Sequence, residues 1–370
     1  MTASTSRTAD ALGRGVGQRQ SVAALASLLC LLAVFTSHTT RSEGPNSRER
    51  SPYVAVPLLS SSPKLDTSVG VLLGYLKSFD EASPPSFFAV SGTYSASESH
   101  TLVAFGQTFF DQGRQRFNFA ASQGRVNNDY ENFLDSGMPA QTTDNIEALA
   151  ARYLFSPARY WYVGAQVLSS NYVIESEGLV EQTLQDIGLT GLDSVGLGLV
   201  AQYDSRNNLR NATQGKHFLL QNYGYREALG SSDDFDVVRA DLVSYSPVSE
   251  RFTLATQVAG RWTRDAPVTG YSSISLRGYV RGMYLAENYT HLAIDNRIRL
   301  GGNWSANAYG GLACLYASMS DCSGSSNLYP AVGVGLSYVL RPEAGIILRA
   351  DATFGKDDNR AFYLNLNQPF

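Results

Sequence analysis

The feature that most constrains this chain is a period of two. From Tyr289 to Leu300 the sequence reads YTHLAIDNRIRL. On an extended backbone Thr290, Leu292, Ile294, Asn296, Ile298 and Leu300 fall on one side, and Tyr289, His291, Ala293, Asp295, Arg297 and Arg299 on the other. The first face is mostly aliphatic. The second carries three charges and a histidine. Wound as a helix, the same residues would spread charge around the whole surface. The pattern recurs: Val238, Ala240 and Leu242 oppose Arg239 and Asp241, and Leu348, Ala350, Ala352 and Phe354 oppose Arg349, Asp351 and Thr353. Leu197, Leu199, Ala201 and Tyr203 likewise oppose Gly196, Gly198, Gln202 and Asp204. These runs extend 10 to 12 residues. That exceeds the roughly 5–6 residues of an ordinary strand and suits a tilted strand crossing a bilayer.

Sixteen such strands can be placed, near 53–60, 68–78, 85–94, 99–109, 114–123, 146–156, 160–170, 194–204, 216–225, 234–245, 251–262, 289–300, 304–316, 329–340, 344–354 and 360–370. The expected fold is all-β, a transmembrane antiparallel β-barrel of about 16 strands. The first strand is the weakest, because Pro57 interrupts it. With both termini on one side, the connections sort into two sets, as in outer-membrane barrels. Short ones include SPAR (156–159), GGN (301–303) and RPEA (341–344); long ones fall near 124–145, 171–193, 263–288 and 317–328. SRNNLRNATQG (205–215) is the exception, a long connection on the short-turn side.

The N-terminus supports export. Arg7, Arg14 and Arg19 precede a 15-residue apolar run, Ser21–Phe35, which reads as a cleaved signal within residues 1–43 ahead of a barrel over 44–370. A membrane anchor is the alternative, but the run is shorter than the roughly 18–20 residues of a spanning helix. The net charge of −4 gives no polyanion signature, so no nucleic acid is expected. His38, His100, His217 and His291 are scattered without metal spacing. There is no G-x-S-x-G and no phosphate loop. No enzyme activity, metal or cofactor is therefore expected. Cys314 and Cys322 flank a predicted outer loop. In an oxidising compartment they are candidates for a disulfide, two free thiols being the other reading. The chain ends AFYLNLNQPF, with Phe362, Leu364, Leu366 and Phe370 on one face. A terminal aromatic on an amphipathic strand looks like the sorting signal of bacterial outer-membrane proteins. Such a chain has as partners outer-membrane lipid, lipopolysaccharide and the machinery that inserts it.

From about residue 195 onward four motifs occur in order: YDSRNN (Tyr203–Asn208), SISLRGY (Ser273–Tyr279), IDNRIRL (Ile294–Leu300) and the final Phe370. In this order they resemble the bacterial surface antigen family, the BamA/TamA-like outer-membrane assembly barrels. Asp204 and Arg206 match the family's strand-end motif, Leu276, Arg277, Gly278 and Tyr279 its loop motif, and Asp295 stands where its strand motif has Glu. The resemblance implies that the loop folds into the lumen, where Arg277 meets acidic or aromatic residues of the inner wall. A guanidinium fork in a narrow lumen favours a bidentate carboxylate. Asp295 is the first choice, with Asp241 and Asp351 as alternatives. Asn307 and Tyr309 occupy a region where many members carry an acid. POTRA domains are not expected ahead of this barrel, although in the assembly factors those domains bind client chains and partner lipoproteins. The function implied is outer-membrane protein assembly or polypeptide translocation, aided by a separate periplasmic protein. The alternatives are a structural or surface-binding barrel and a passive pore.

Overall fold

Inside a bilayer no water is available to backbone N–H and C=O groups, so a membrane-spanning sheet must close on itself. The computed structural model describes residues 51–62, 66–130, 140–175 and 191–366. Its strands are β1 (Tyr53–Ser62), β2 (Asp66–Lys77), β3 (Ser86–Ser95), β4 (His100–Phe110), β5 (Gln115–Tyr130), β6 (Ala140–Ala158), β7 (Trp161–Glu175), β8 (Gly191–Asp204) and β9 (Gly215–Tyr225). They continue as β10 (Phe235–Pro247), β11 (Phe252–Arg264), β12 (Ser272–Ser273), β13 (Leu285–Ala286), β14 (Asn288–Gly301), β15 (Trp304–Tyr316), β16 (Leu328–Arg341), β17 (Ile346–Gly355) and β18 (Arg360–Leu366). β12 and β13 pair only with each other, and the remaining sixteen form a closed barrel in which β18 returns to β1. Each of the sixteen predicted strands is present. Every ladder is antiparallel, and the protein is an all-β transmembrane barrel.

Burial is inverted relative to a water-soluble sheet. Leu199, Val334, Leu292 and Leu300 are 71%, 63%, 47% and 58% exposed, whereas Arg349, Asp351 and Asp295 are 1%, 2% and 3% exposed. The aliphatic rows therefore face outward and the charged rows inward, as in a barrel dissolved in lipid. Aromatic pairs mark the rim that carries the short turns: Tyr53–Tyr75, Trp161–Tyr203 and Trp304–Tyr338, with ring centroids 5.3, 5.3 and 4.9 Å apart. Amphipathic rings belong at the lipid–water boundary. This rim is called the turn side below, and the opposite rim the loop side.

Two expected connections differ. The connections placed at 124–145 and 171–193 both begin and end as sheet, because β5 runs to Tyr130, β6 starts at Ala140, β7 runs to Glu175 and β8 starts at Gly191. Beyond the lipid a ladder needs no aliphatic face, so the hydrophobic pattern ends before the hydrogen bonding does. Pro57 lies within β1, opposite Val71 of β2, and β1 is the strand on which the closure depends. Among the described residues the β1–β18 ladder pairs only Leu59–Leu364, Ser60–Tyr363 and Ser61–Phe362. A proline offers no N–H to a ladder, and this seam stops short of it.

A charge on the outward row is a direct check of orientation. Val334→Arg, midway along β16, should destabilise folding into vesicles by about 2–4 kcal/mol. The same change at inward-facing Gln257, beside Asp241, should cost well under half of that. Urea titration of both variants in lipid, read by intrinsic fluorescence, measures the difference.

Candidate functional site

The connection 265–287 between β11 and β14 turns into the lumen. Its ends are clasped by β12 and β13, through Ser272–Ala286 and Ser273–Leu285, and by Arg261 of β11, which donates to Ser272 Oγ and to the Gly270 carbonyl, both at 2.8 Å. Ile274, Leu276, Tyr279 and Tyr284 then pack on inward residues of β14, β15 and β16, including Tyr309 and Tyr329. Tyr279 Oη donates to the Pro330 carbonyl at 2.5 Å and accepts from the Lys356 backbone at 2.8 Å. Burial pushes this phenol up to about 12, so it remains a donor at any physiological pH. Gly278 has φ +96°, a conformation that favours glycine, and its N–H reaches Tyr363 Oη of β18 at 3.2 Å. The loop tip is thereby bonded to the last strand of the barrel.

At the tip Arg277 enters a four-residue charge network. Its Nη2 donates to Asp295 Oδ2 at 2.5 Å, its Nη1 lies 3.5 Å from Asp351 Oδ2, and its guanidinium sits 3.6 Å above the Tyr309 ring. Arg349 forms a fork to Asp295 at 3.1 and 2.7 Å and donates from Nε to Asp351 Oδ2 at 2.7 Å. Two cations and two anions thus balance in a buried cluster. Gly335 of β16 makes room for it, since a Cβ there would lie 2.2 Å from Asp351 Oδ1. Asp241 is not part of the cluster. It lies on β10 and accepts instead from Gln257 Nε2 of β11 at 2.5 Å. Arg349 was readable as an inward residue of β17, but not as the group that joins both carboxylates.

A second loop covers the turn side. Asp204, the last residue of β8, accepts from Arg206 at 2.8 and 3.0 Å and from Arg116 of β5 at 3.0 Å. The connection 205–214 is then organised by two asparagine side chains. Asn207 Oδ1 accepts from the backbone of Thr213 and Gln214, and Asn208 Oδ1 from that of Arg210 and Asn211, replacing backbone turn bonds with side-chain ones. Arg210 reaches the Pro85 carbonyl in the β2–β3 turn at 2.9 Å and the Ala344 carbonyl in the β16–β17 turn at 3.3 Å. In the sixteen-stranded ring β8 stands opposite β18 and β9 opposite β1, so a loop that reaches the turns flanking β1 and β18 crosses the mouth. Arg297 of β14 holds it by Asn211 Oδ1 at 2.6 Å and the Ala212 carbonyl at 3.2 Å. The sequence showed an overlong turn here. It gave no sign that the turn folds inward, because its key partners are main-chain carbonyls.

The other sequence candidates lie apart from these loops or at their margins. Cys314 and Cys322 are joined by a disulfide, with Cα atoms 5.8 Å apart, which ties the 317–327 connection to β15. His291 Nε2 lies 3.1 Å from Gln257 Oε1 rather than beside an acid. Phe362, Leu364 and Leu366 alternate with Ala361, Tyr363 and Asn365 on β18, and Phe370 lies outside the described residues, as do residues 1–43. No group of three or more His, Cys, Asp or Glu residues among the described residues could hold a metal ion.

The fold and its two inward loops define a class: large transmembrane β-barrels whose lumen is occupied by their own connections. The sequence matches no protein-family model and no curated protein. The fold is similar to that of BamA from Haemophilus ducreyi lacking POTRA domains 1–3, with TM-score 0.55 and 11% identity over 94% of this chain and 78% of that one. It is also similar to CdiB from Acinetobacter baumannii (0.57, 13%, over 86% and 60%) and CdiB from Escherichia coli (0.57, 14%, over 88% and 67%). At these identities the likeness is one of fold. This chain spans 60–78% of the length of those three.

Removing one cation from the buried cluster strands its partners. Arg349→Ala should destabilise the barrel by about 3–5 kcal/mol, because two desolvated carboxylates lose their main donor. Arg349→Lys should recover little of it, lacking the planar fork. The order wild type, Lys, Ala in denaturant midpoint checks this. Because a loop occupies each side, deleting 272–286 alone should raise bilayer conductance less than the same deletion combined with Arg210→Ala, and single-channel recording reads the difference.

Proposed function

We propose that this chain is an outer-membrane barrel of the assembly and translocation type, inserting or passing polypeptides with a lumen loop anchored by Arg277 as its internal support. The carrying observation is the conjunction of a loop tied into the Arg277–Asp295–Asp351–Arg349 cluster with a β1–β18 seam of only three paired positions among the described residues. A short seam is the least costly place for the cylinder to part, since each ladder bond lost in lipid must be replaced. A chain with unpaired strand edges could complete its own pairing there. The loop tip reaches β18 through Gly278 and Tyr363, so plug and seam are mechanically joined. A lumen occupied from both sides favours this reading over a passive pore. The turn side faces the periplasm in this reading, and a separate periplasmic protein delivers the client to it. Its surroundings are outer-membrane lipid and lipopolysaccharide.

Locking the seam tests the idea. Ser61→Cys with Phe362→Cys, a directly opposed pair, should form a cross-strand disulfide. Cells relying on the locked protein should accumulate unfolded outer-membrane clients in the periplasm until a membrane-permeant reductant is added. Normal client levels with the lock fully formed would remove the assembly role.

A further inference from the structure

The two loops leave Arg239 of the lumen wall exposed, and the charge around it is one-sided. The plug packs on β14, β15 and β16. Two places round the ring from β14, the inward row of β10 carries Phe235, Val237, Arg239, Asp241, Val243 and Tyr245. Its outward row carries Val238 and Leu242, both exposed to lipid. Arg239 is exposed although it points inward, so water reaches it inside the barrel. Directly opposite it across the ladder is Arg261 of β11, and on its other side Gln221 of β9. Gln221 Oε1 accepts from Arg152 of β6, whose guanidinium is also held by Gln166 Oε1 at 3.0 and 2.7 Å. Arg281, on the returning limb of the plug, lies near enough to Arg239 to act on its charge. Arg152, Arg239 and Arg261 therefore line one stretch of the wall between β6 and β11, with Arg281 of the plug within electrostatic reach.

No carboxylate answers them. None of the ion pairs among the described residues includes Arg152, Arg239, Arg261 or Arg281. The nearest acid on the same inward row, Asp241, is bonded to Gln257. The groups beside Arg239 are the phenols of Tyr223 and Tyr225, the second stacked on Phe235 with centroids 4.3 Å apart. Like charges set directly across a ladder, with Cβ atoms about 4.5–5.5 Å apart, destabilise a sheet. Elsewhere in this lumen the buried pairs Arg206–Asp204 and Arg349–Asp295 are matched. The arginine row has no counter-charge within the fold, although Arg152 and Arg261 hold neighbouring side chains and the plug. It is, however, arranged to clamp an oxyanion, since guanidinium forks match the paired oxygens of phosphate. Arg152 and Arg261 are fixed by their protein partners, which leaves Arg239 and Arg281 as the free pair facing water.

We infer that this row is a lumenal binding site for a phosphate-bearing ligand, entered from the loop side, with Arg239 as its central contact and the exposed Arg281 beside it. The phosphate is carried either by a small solute or by a lipid headgroup. The site depends on the barrel fold alone and stands or falls separately from the assembly role.

The full-length protein in neutral detergent is titrated calorimetrically with inorganic pyrophosphate and, separately, with micelles containing lipid A or its dephosphorylated form. Saturable binding of at least one phosphate-bearing probe is expected, weakened at least tenfold by Arg239→Gln and unchanged by Arg251→Gln, an exposed turn-side substitution of equal charge. Binding of free pyrophosphate assigns a solute. Binding only of phosphorylated lipid A micelles assigns a headgroup. The site is overturned if neither probe saturates, if Arg239→Gln weakens binding less than tenfold, or if Arg251→Gln weakens it equally. Heat-dependent gel mobility matching wild type shows that each variant is folded, and Arg239 is exposed to water, so its truncation leaves no buried gap.

Discussion

In hydrocarbon an unpaired backbone N–H or C=O costs several kcal/mol, and a sheet avoids that cost only by bonding its last strand to its first. Here that bond falls to Leu59, Ser60 and Ser61 of β1 against Leu364, Tyr363 and Phe362 of β18. Every other feature presupposes it. Closure creates the inside to which charged rows can turn, and it fixes which walls face each other. It also lets residues from opposite ends of the described chain meet, as Leu59 meets Leu364.

Polar groups that lipid would exclude are gathered within, and they are not distributed evenly. Near β14 and β17, charges are matched in a buried quartet around Arg349. At the turn side, Arg210 donates to carbonyls of two distant turns. On the β6–β11 wall, Arg239 is left in water with no ion-pair partner among the described residues. Matched burial holds connections in place, whereas unmatched exposure leaves donors available to something else. A single barrel thereby carries regions for support and a region for recognition, distinguished by whether each guanidinium has an anion within reach.

The strands were legible because lipid imposes one rule on every outward position. Leu292, Ile294, Ile298 and Leu300 had to be aliphatic together, and a period of two is readable without knowing any neighbour. The overhangs of β5 to β8 were not legible, because above the lipid that rule lapses and Asn127, Asn128 and Asp129 still pair with β6. The site was half legible. Arg277 and its tie to Asp295 could be named because the SISLRGY stretch resembles a motif whose loop enters the lumen, where a fork and an inward carboxylate suit each other. Asp241 suited it equally on that ground, and only the three-dimensional arrangement, with Gln257 holding Asp241, separates the two. Periodicity says which way a residue faces and nothing about what it faces, so Arg349 passed as one more inward charge. The role of Arg210 was hidden further, since the carbonyls of Pro85 and Ala344 leave no mark on residue identity.

Those two carbonyls stand on either side of the seam, one in the turn after β2 and the other in the turn before β17. One planar head therefore straddles the join like a rivet through a lap joint. Any parting of β1 from β18 that also separates these turns must stretch one of its two bonds or pull the whole crossing segment from the opposite wall. Strand separation at the lipid face is in this way tied to the state of the turn-side mouth.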